Sequence, residues 1–406
     1  MTFNSLQAYQ EIWDALSDSE FQDALRRAST TSQVKVEGLL AERRDLLELC
    51  REVVEAKKRS VDLLEELVER AYRSLEAVKA KPYYAEEAEE ARRIIGSIVG
   101  SGKLVVMAKS MAAMEVGLRG YLESLGNEVW ETDLGELLVQ LEGSRPMHTI
   151  TPAAHMTRLK AVKLISEKLG VKLKSDSVEE AVKTVREFLR GKIVKADVGV
   201  SGANALAADT GAIVLVENES NIRLVTSTPP IHIALVPIDK IVPTLLDAVK
   251  VAMVQAAYAG LYPPTYINII AGPSSTADIE RVRVYGAQGP RELHVVLLDN
   301  GRMKASKDTL LKEQLRCIRC GRCQYECPVW VHTANKWGGP AYGGPMGLVW
   351  TAITVDPIEA GKLAYLCLGC GRCDTSCPVE IPLSTILRHL KSIASRSSQA
   401  QVTQTP

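Results

Sequence analysis

Cys317-Ile-Arg-Cys320-Gly-Arg-Cys323-Gln-Tyr-Glu-Cys327-Pro328 is repeated further along the chain as Cys367-Leu-Gly-Cys370-Gly-Arg-Cys373-Asp-Thr-Ser-Cys377-Pro378. Both runs read C-x2-C-x2-C-x3-C-P, the ligand spacing of bacterial [4Fe–4S] ferredoxins. A cubane takes one thiolate on each of four irons. Three closely spaced cysteines wrap one side of it, and in two-cluster proteins the cysteine before proline serves the other cluster. The spacing therefore predicts one [4Fe–4S] cluster on Cys317, Cys320, Cys323 and Cys377, and a second on Cys367, Cys370, Cys373 and Cys327. A zinc site fits less well, because such sites usually show two C-x2–4-C pairs. A disulfide framework fits less well still. Of nine cysteines, only Cys50 lies outside the runs; it sits on a helical pattern and reads as a packed thiol.

Composition narrows the partners. The 406 residues are enough for two or three domains, and 46% are apolar, ample for a core. Lysine plus arginine equals aspartate plus glutamate at 49 each, so charge gives no case for nucleic acid or an anionic membrane. Each oxidised cubane with four thiolates carries about −2, which makes the loaded chain mildly acidic. Thiolate ligation requires reduced cysteines, which favours the cytoplasm. Met1 to Arg27 is charged throughout and has no signal-peptide core. No apolar run approaches the roughly 18 residues of a transmembrane helix.

The patterning predicts four regions. Residues 1–81 read as helical: proline is absent before Pro82, and Leu39, Leu46, Leu49, Val53, Leu64, Leu67, Ala71 and Leu75 recur at helical spacing. A break or packed hairpin is expected there, since one helix of that length is unusual. Residues 82–303 read as α/β. Strands are expected at 103–108, 128–132, 211–216, 231–236 and 293–298, and helices at 110–125, 156–169, 177–190 and 240–259. Continuous β-rich runs between helices predict a largely parallel sheet covered on both faces. Residues 304–394 read as an α-helical two-cluster ferredoxin module, entered by a helical linker at 304–316. It contains an apolar helix-like segment at 348–353 and a helix from Leu383 to Ile393. Residues 395–406 are polar and read as a disordered tail.

Three polar stretches of the α/β region exceed what packing needs: 201–211, 217–232 and 271–278. Glu217, Asn218 and Arg223 follow a buried strand, and parallel sheets bind ligands at the carboxyl ends of their strands. A charged surface turn is the alternative. His232, between Ile231 and Ile233, reads either as a hydrogen-bonded core histidine or as a site residue. Ser275-Thr-Ala-Asp278 has the S-x-x-D form of a helix start. With Gly272 and Pro273 before it, the stretch including Ser274, Thr276 and Asp278 is a candidate anion cradle, or an ordinary capped helix. Gly199 and Gly202 do not complete G-x-G-x-x-G, so neither NAD nor flavin is assigned.

Taken with the cysteine runs, these stretches resemble the lactate-utilisation iron–sulfur proteins, the B subunits of three-part L-lactate oxidising systems, in which a LUD domain precedes a dicluster ferredoxin domain. The resemblance covers roughly residues 82–393. It is carried by Glu131-Thr-Asp-Leu-Gly-Glu136, His148 to His155, Asp209-Thr-Gly211, Asn221 to His232, Gly272 to Ile279 and His294 to Arg302. It implies a Rossmann-like sheet of the CoA-transferase and ribose-phosphate-isomerase type. There are departures. After Lys109-Ser-Met111, the stretch Ala112-Ala-Met-Glu115 keeps one of two acidic residues. Arg119 stands where the family tends to have asparagine, and the family's extension beyond the second cysteine run has no counterpart.

The resemblance implies an electron-transfer subunit of a cytoplasmic L-lactate (2-hydroxyacid) oxidising complex, with two [4Fe–4S] clusters relaying the electrons. Its implied partners are a cysteine-rich heterodisulfide-reductase-like subunit and a second LUD-like subunit. Two other readings stand beside it. One is a stand-alone iron–sulfur oxidoreductase whose α/β domain binds a carboxylate or CoA-like substrate. The other is a scaffold subunit of a heterodisulfide-reductase-like complex, docked through the helical region. Whether the substrate site lies on this chain is left open.

Overall fold

The computed structural model describes residues 4–171, 173 and 177–402. Residues 1–3 of the expected helical region and 403–406 of the expected tail lie outside the described residues.

Four helices open the chain: α1 (Ser5–Ser17), α2 (Ser19–Glu42), α3 (Asp45–Asp62) and α4 (Leu64–Ala77). Asn4 and Asp18 cap the first two, each side chain accepting a backbone N–H of the first turn. The expected breaks fall at Arg43–Arg44 and at Leu63. The apolar stripe then faces inward: Leu25, Val36, Val53, Leu67 and Leu75 are buried. These helices pack on the rest of the chain. α3 lies on the helix Leu245–Tyr258 and α4 on the first strand. α1 and α2 reach the cysteine module. There Glu359 Oε2 accepts the Ser5 N–H at 2.9 Å, and Gln33 Nε2 donates to the Tyr325 carbonyl at 2.8 Å.

Among the described residues, twelve strands follow: β1 (Lys81–Ala85), β2 (Leu104–Met107), β3 (Glu128–Glu131), β4 (Val198–Ser201), β5 (Ala205–Ala207), β6 (Ile213–Glu217), β7 (Ile231–Pro237), β8 (Ile241–Val242), β9 (Tyr266–Ile270), β10 (Ser275–Thr276), β11 (Val284–Tyr285) and β12 (Glu292–Leu298). Six of them form the central sheet in the order β1-β12-β7-β4-β2-β3, every pair parallel. Helices Ala88–Val99 and Leu118–Ser124 cover one face; Leu134–Glu142, Arg158–Leu169 and Val178–Lys195 cover the other. The sheet's central strands are accordingly buried on both faces, which is why they read as unbroken apolar runs.

Several expectations are corrected. β6 does not join the parallel sheet; it lies in a second, four-stranded sheet ordered β8-β5-β6-β9, antiparallel to both neighbours. The helix expected over 110–125 is two helices, Met111–Glu115 and Leu118–Ser124, separated by Gly117 at φ 62°. The helix start read at Ser275–Asp278 is absent: Ser275 and Thr276 pair antiparallel with Tyr285 and Val284. No buried apolar face follows to hold a helix there, since Ile279 is 80% exposed, and Glu280 and Arg281 take positive φ. The linker over 304–316 is an α-helix (Arg302–Ser306) and a 3-10 turn (Leu311–Arg316). The tail expected to be disordered from Ser395 continues the helix Leu383–Val402.

β4 was not expected, being short and carrying Gly199. A Cβ at Gly199 would lie 2.0 Å from the Val225 carbonyl oxygen, so glycine here admits the helix Asn221–Ser227 against the sheet. One buried apolar cluster runs from α1, α3 and α4 through the second sheet to Trp330, Trp337 and Trp350. The cysteine module therefore shares a core with the sheet domain. Among the described residues, no helix is long and apolar enough to cross a membrane.

Candidate functional site

The two cysteine runs fold alike. The residue before the second cysteine and the glycine after it are left-handed in both: Arg319 (φ 59°) and Gly321 (φ 75°), Gly369 (φ 68°) and Gly371 (φ 72°). This curls the backbone so that N–H groups face sulfur. Arg319 N donates to Cys317 Sγ at 3.4 Å and Gly369 N to Cys367 Sγ at 3.4 Å; Ile381 N donates to Cys377 Sγ at 3.5 Å. Such bonds hold thiolate ligands in place and tune cluster potentials.

The thiols interact mainly within two groups, with Cys323 also feeling Cys373 across them. Burial raises Cys320 most, and Cys377 and Cys317 raise it further. Burial likewise raises Cys323, followed by Cys317, Cys320, Cys377 and, from the second run, Cys373. In the other group, burial pushes Cys327 up to about 12, and Cys367 and Cys370 add to it. Cys327, Cys367, Cys370 and Cys373 together line one cavity, closed by Pro328, Pro345 and Ser384. An all-thiol donor set around a space, fed by N–H donors, fits a cubane. Loading would supply reversible one-electron storage. The protein's part would be to hold the sulfurs, with Cys320, Cys323, Cys327 and Cys373 buried and Cys370 exposed.

The first run is packed from the α/β domain. His148 stacks on Tyr325 with ring centroids 3.9 Å apart, and its Nε2 lies 3.2 Å from the Gly321 carbonyl. Burial pulls His148 down to about 3, so it is neutral and fills a core position. Gln324, fully buried, accepts the Thr149 N–H and donates to Asn335 and Gly343.

A buried charge network joins the same loop to the sheet. Arg319 donates to both oxygens of Asp239, with Nη2–Oδ1 at 3.0 Å. Arg302 donates to Asp239 Oδ1 at 2.5 Å and grips Glu115 with two bonds of 2.8 and 2.7 Å. Tyr342 and Asn300 also donate to Glu115, and Lys57 to the Asp239 carbonyl. Burial alone would raise Asp239, but Arg319 and Arg302 outweigh it and hold the carboxyl well below its usual range. Both guanidiniums lie over Trp350, at 4.3 and 4.8 Å. Glu115, the one acidic residue kept in the Ala112–Glu115 stretch, is thus an anchor of the interface.

The candidate ligand site is a cavity of about 330 Å³ at the carboxyl ends of β2, β4 and β7. Its polar lining includes Lys109, Ser110, Asn204, Lys240, Gln255 and Arg319. Asp133, Glu217, Asn218, Glu219, Asn221, Thr149 and Thr151 also line it. Burial, then repulsion from Arg319 and Lys57, pulls Lys240 down to about 7. Burial, then Asp133, pushes Glu219 up to about 7.

The residues singled out in the sequence fall in two cavities and an exposed hairpin, not in one site. Glu217 and Asn218 line this cavity, but both are engaged: Glu217 accepts the Arg223 N–H and Asn268 Nδ2, and Asn218 Oδ1 accepts the Thr265 N–H. Arg223, His232 and Ser274 line a second cavity beside Ile267–Pro273. Arg223 there lies over Tyr266 at 4.1 Å. Ser201 Oγ lies 2.7 Å from His232 Nε2, and burial pulls that histidine down to about 3, the state of a hydrogen-bonded core residue. Ser274 Oγ accepts the Gly289 N–H. Thr276 and Asp278 bond each other on the exposed hairpin. Lys109, Lys240 and Arg319 were missed as site residues. Their only sequence signal was position: a lysine just past an apolar strand, twice, and a cation inside the cysteine loop.

Comparison with known proteins matches this architecture in two parts: residues 68–298 to the LUD domain, and residues 313–381 to a 4Fe–4S dicluster domain, a module for two [4Fe–4S] clusters. The chain belongs to the LUD-domain family. It is 35% identical to lactate utilization protein B of Oceanobacillus iheyensis, over 79% of this chain and 66% of that protein, just under two thirds of that relative's length. It is 32% identical to lactate utilization protein B of Bacillus cereus (strain AH820), over 96% of this chain and 81% of that protein. A crystal structure of a DUF162 family protein from Deinococcus radiodurans covers 58% of this chain at 16% identity with a TM-score of 0.33, too loose a likeness to carry an argument.

Proposed function

We propose that this chain is the iron–sulfur electron-transfer subunit of a cytoplasmic L-lactate oxidising complex. Electrons from lactate-to-pyruvate oxidation pass through its two clusters, held by Cys317, Cys320, Cys323 and Cys377 and by Cys367, Cys370, Cys373 and Cys327. Its partners are a cysteine-rich heterodisulfide-reductase-like subunit and a second LUD-like subunit. The observation that carries the reading is Arg319. It sits between two ligands of the first cluster and also walls the cavity at the carboxyl ends of the sheet. A ligand-sized space and a redox centre therefore share one residue, the arrangement a relay needs at its entry. Both partners of the Asp239–Arg319 pair are buried, which holds Arg319 in that place.

The test is anaerobic isolation of the chain with whatever proteins accompany it, followed by an assay of L-lactate oxidation with an artificial acceptor. The account expects turnover from the complex and none from the isolated loaded chain. Turnover by the isolated chain would favour a stand-alone oxidoreductase. A complex inert to every 2-hydroxyacid would refute the lactate assignment.

A further inference from the structure

The structure assigns a binding site for a small carboxylate to the cavity walled by Lys109, Lys240 and Arg319, on this chain itself. The choice of a 2-hydroxy or 2-oxo acid as its ligand rests on the lactate reading above; the anion site does not.

Three observations carry it. The first is position and size. The cavity opens where parallel sheets of this kind take ligands, and its volume of about 330 Å³ falls in the range of small-molecule sites. The second is unpaired donor capacity on the cationic side chains; Lys109 already gives one N–H to the Ile150 carbonyl. Arg319 is 3% exposed, yet its Nε has no hydrogen-bond partner among the described residues. The Lys240 ammonium makes no hydrogen bond or ion pair among the described residues, because the adjacent carboxylate, Asp239, is taken by Arg302 and Arg319. A buried donor left unpaired, as at Arg319, calls for a partner that the chain does not supply, and the half-buried Lys240 adds a free ammonium to the same wall. The third is that the acidic residues of the lining are occupied elsewhere. Glu217 is held by Arg223 N and Asn268, Glu219 accepts the Leu134 N–H, and Asp133 caps the helix Leu134–Glu142. None of them is bonded to Lys240.

A second oxygen on the ligand also finds partners. Ser110 Oγ accepts the Ala113 N–H and keeps its hydroxyl proton to donate. Gly202 lets it approach, since a Cβ there would lie 2.8 Å from that oxygen. An acid bearing a hydroxyl or keto oxygen beside its carboxylate therefore matches the wall better than a simple carboxylate does.

The test uses the full chain, reconstituted anaerobically with both clusters, titrated calorimetrically with pyruvate and separately with L-lactate, with acetate as control. One saturable site is expected for at least one of the two acids, with acetate weaker. Lys240→Gln should weaken binding by about tenfold or more, and Lys109→Gln severalfold, with iron and sulfide per chain unchanged. The EPR line shape of the reduced first cluster should shift on binding in the parent chain and not in Lys240→Gln. Parent-like affinity in both variants would overturn the site. So would failure of both acids to bind while the complete complex still reduces its clusters with L-lactate, and that result would leave the proposed function standing. Binding that depends on Lys240, in a complex whose clusters lactate cannot reduce, would keep the site and refute the function.

Discussion

Arg319 and Asp239 latch the first cysteine loop to the end of β7 through two hydrogen bonds between buried groups. Arg319 is left-handed, a conformation that costs a non-glycine residue roughly 1–2 kcal/mol. The second run has Gly369 at the equivalent place, where no such latch is made. The arginine is kept in a position that suits glycine because its side chain ties the cluster loop to the sheet.

Replacing Asp239 by asparagine keeps the shape and removes the charge. Arg302 and Arg319 would then lie buried without their shared carboxylate, and breaking a buried pair of this kind costs about 3–5 kcal/mol. Anaerobic urea denaturation of Asp239→Asn should show a loss of that order, together with faster iron release to a chelator. Unchanged stability and iron retention would show that the latch is idle.

Cys377 is assigned to the cluster of the first run, and Cys377→Ser removes one of its four thiolates. Iron per chain should fall from about eight toward about four, with the surviving Mössbauer signal belonging to Cys367, Cys370, Cys373 and Cys327. Loss confined to that second group would overturn the assignment.

Glu136 predicts a pH effect. It is 5% exposed; burial, then Asp133, outweighs Lys109 and pushes it up to about 7. The neighbouring Glu131 is raised as well, by burial and then by Glu136 itself. Between its ordinary value of 4.5 and about 7 the folded chain holds a proton that the unfolded chain has lost, so stability falls as pH rises through that window. The cost is absent below 4.5 and complete above 7. Glu136→Gln should therefore melt like the parent at pH 4 and be more stable at pH 8, by about 2–3 kcal/mol. Parallel melting curves across pH 4–8 would contradict the burial argument.

What could be read from the sequence follows the range of the interactions. Cluster binding is set by local spacing, so the two cysteine runs were legible as a two-cluster module. β2, β7 and β12 were legible because burial on both faces demands unbroken apolar runs. β4 was hidden by Gly199, whose role depends on a helix far along the chain. Ser275–Asp278 misled because a capping pattern is local, while a helix needs an apolar face to bury. The cavity was the least legible feature. Lys109, Lys240 and Arg319 are far apart in sequence and meet only when the sheet brings its strand ends beside the cysteine loop.

The central claim is that lactate's electrons enter this chain's clusters, and anaerobic EPR of the complete complex mixed with L-lactate tests it most directly. The account predicts that reduced [4Fe–4S] signals grow in as pyruvate forms, and that Cys377→Ser removes the signal of the first cluster. Pyruvate formed at full rate while both clusters stay oxidised and silent, with the physiological acceptor withheld, would contradict it.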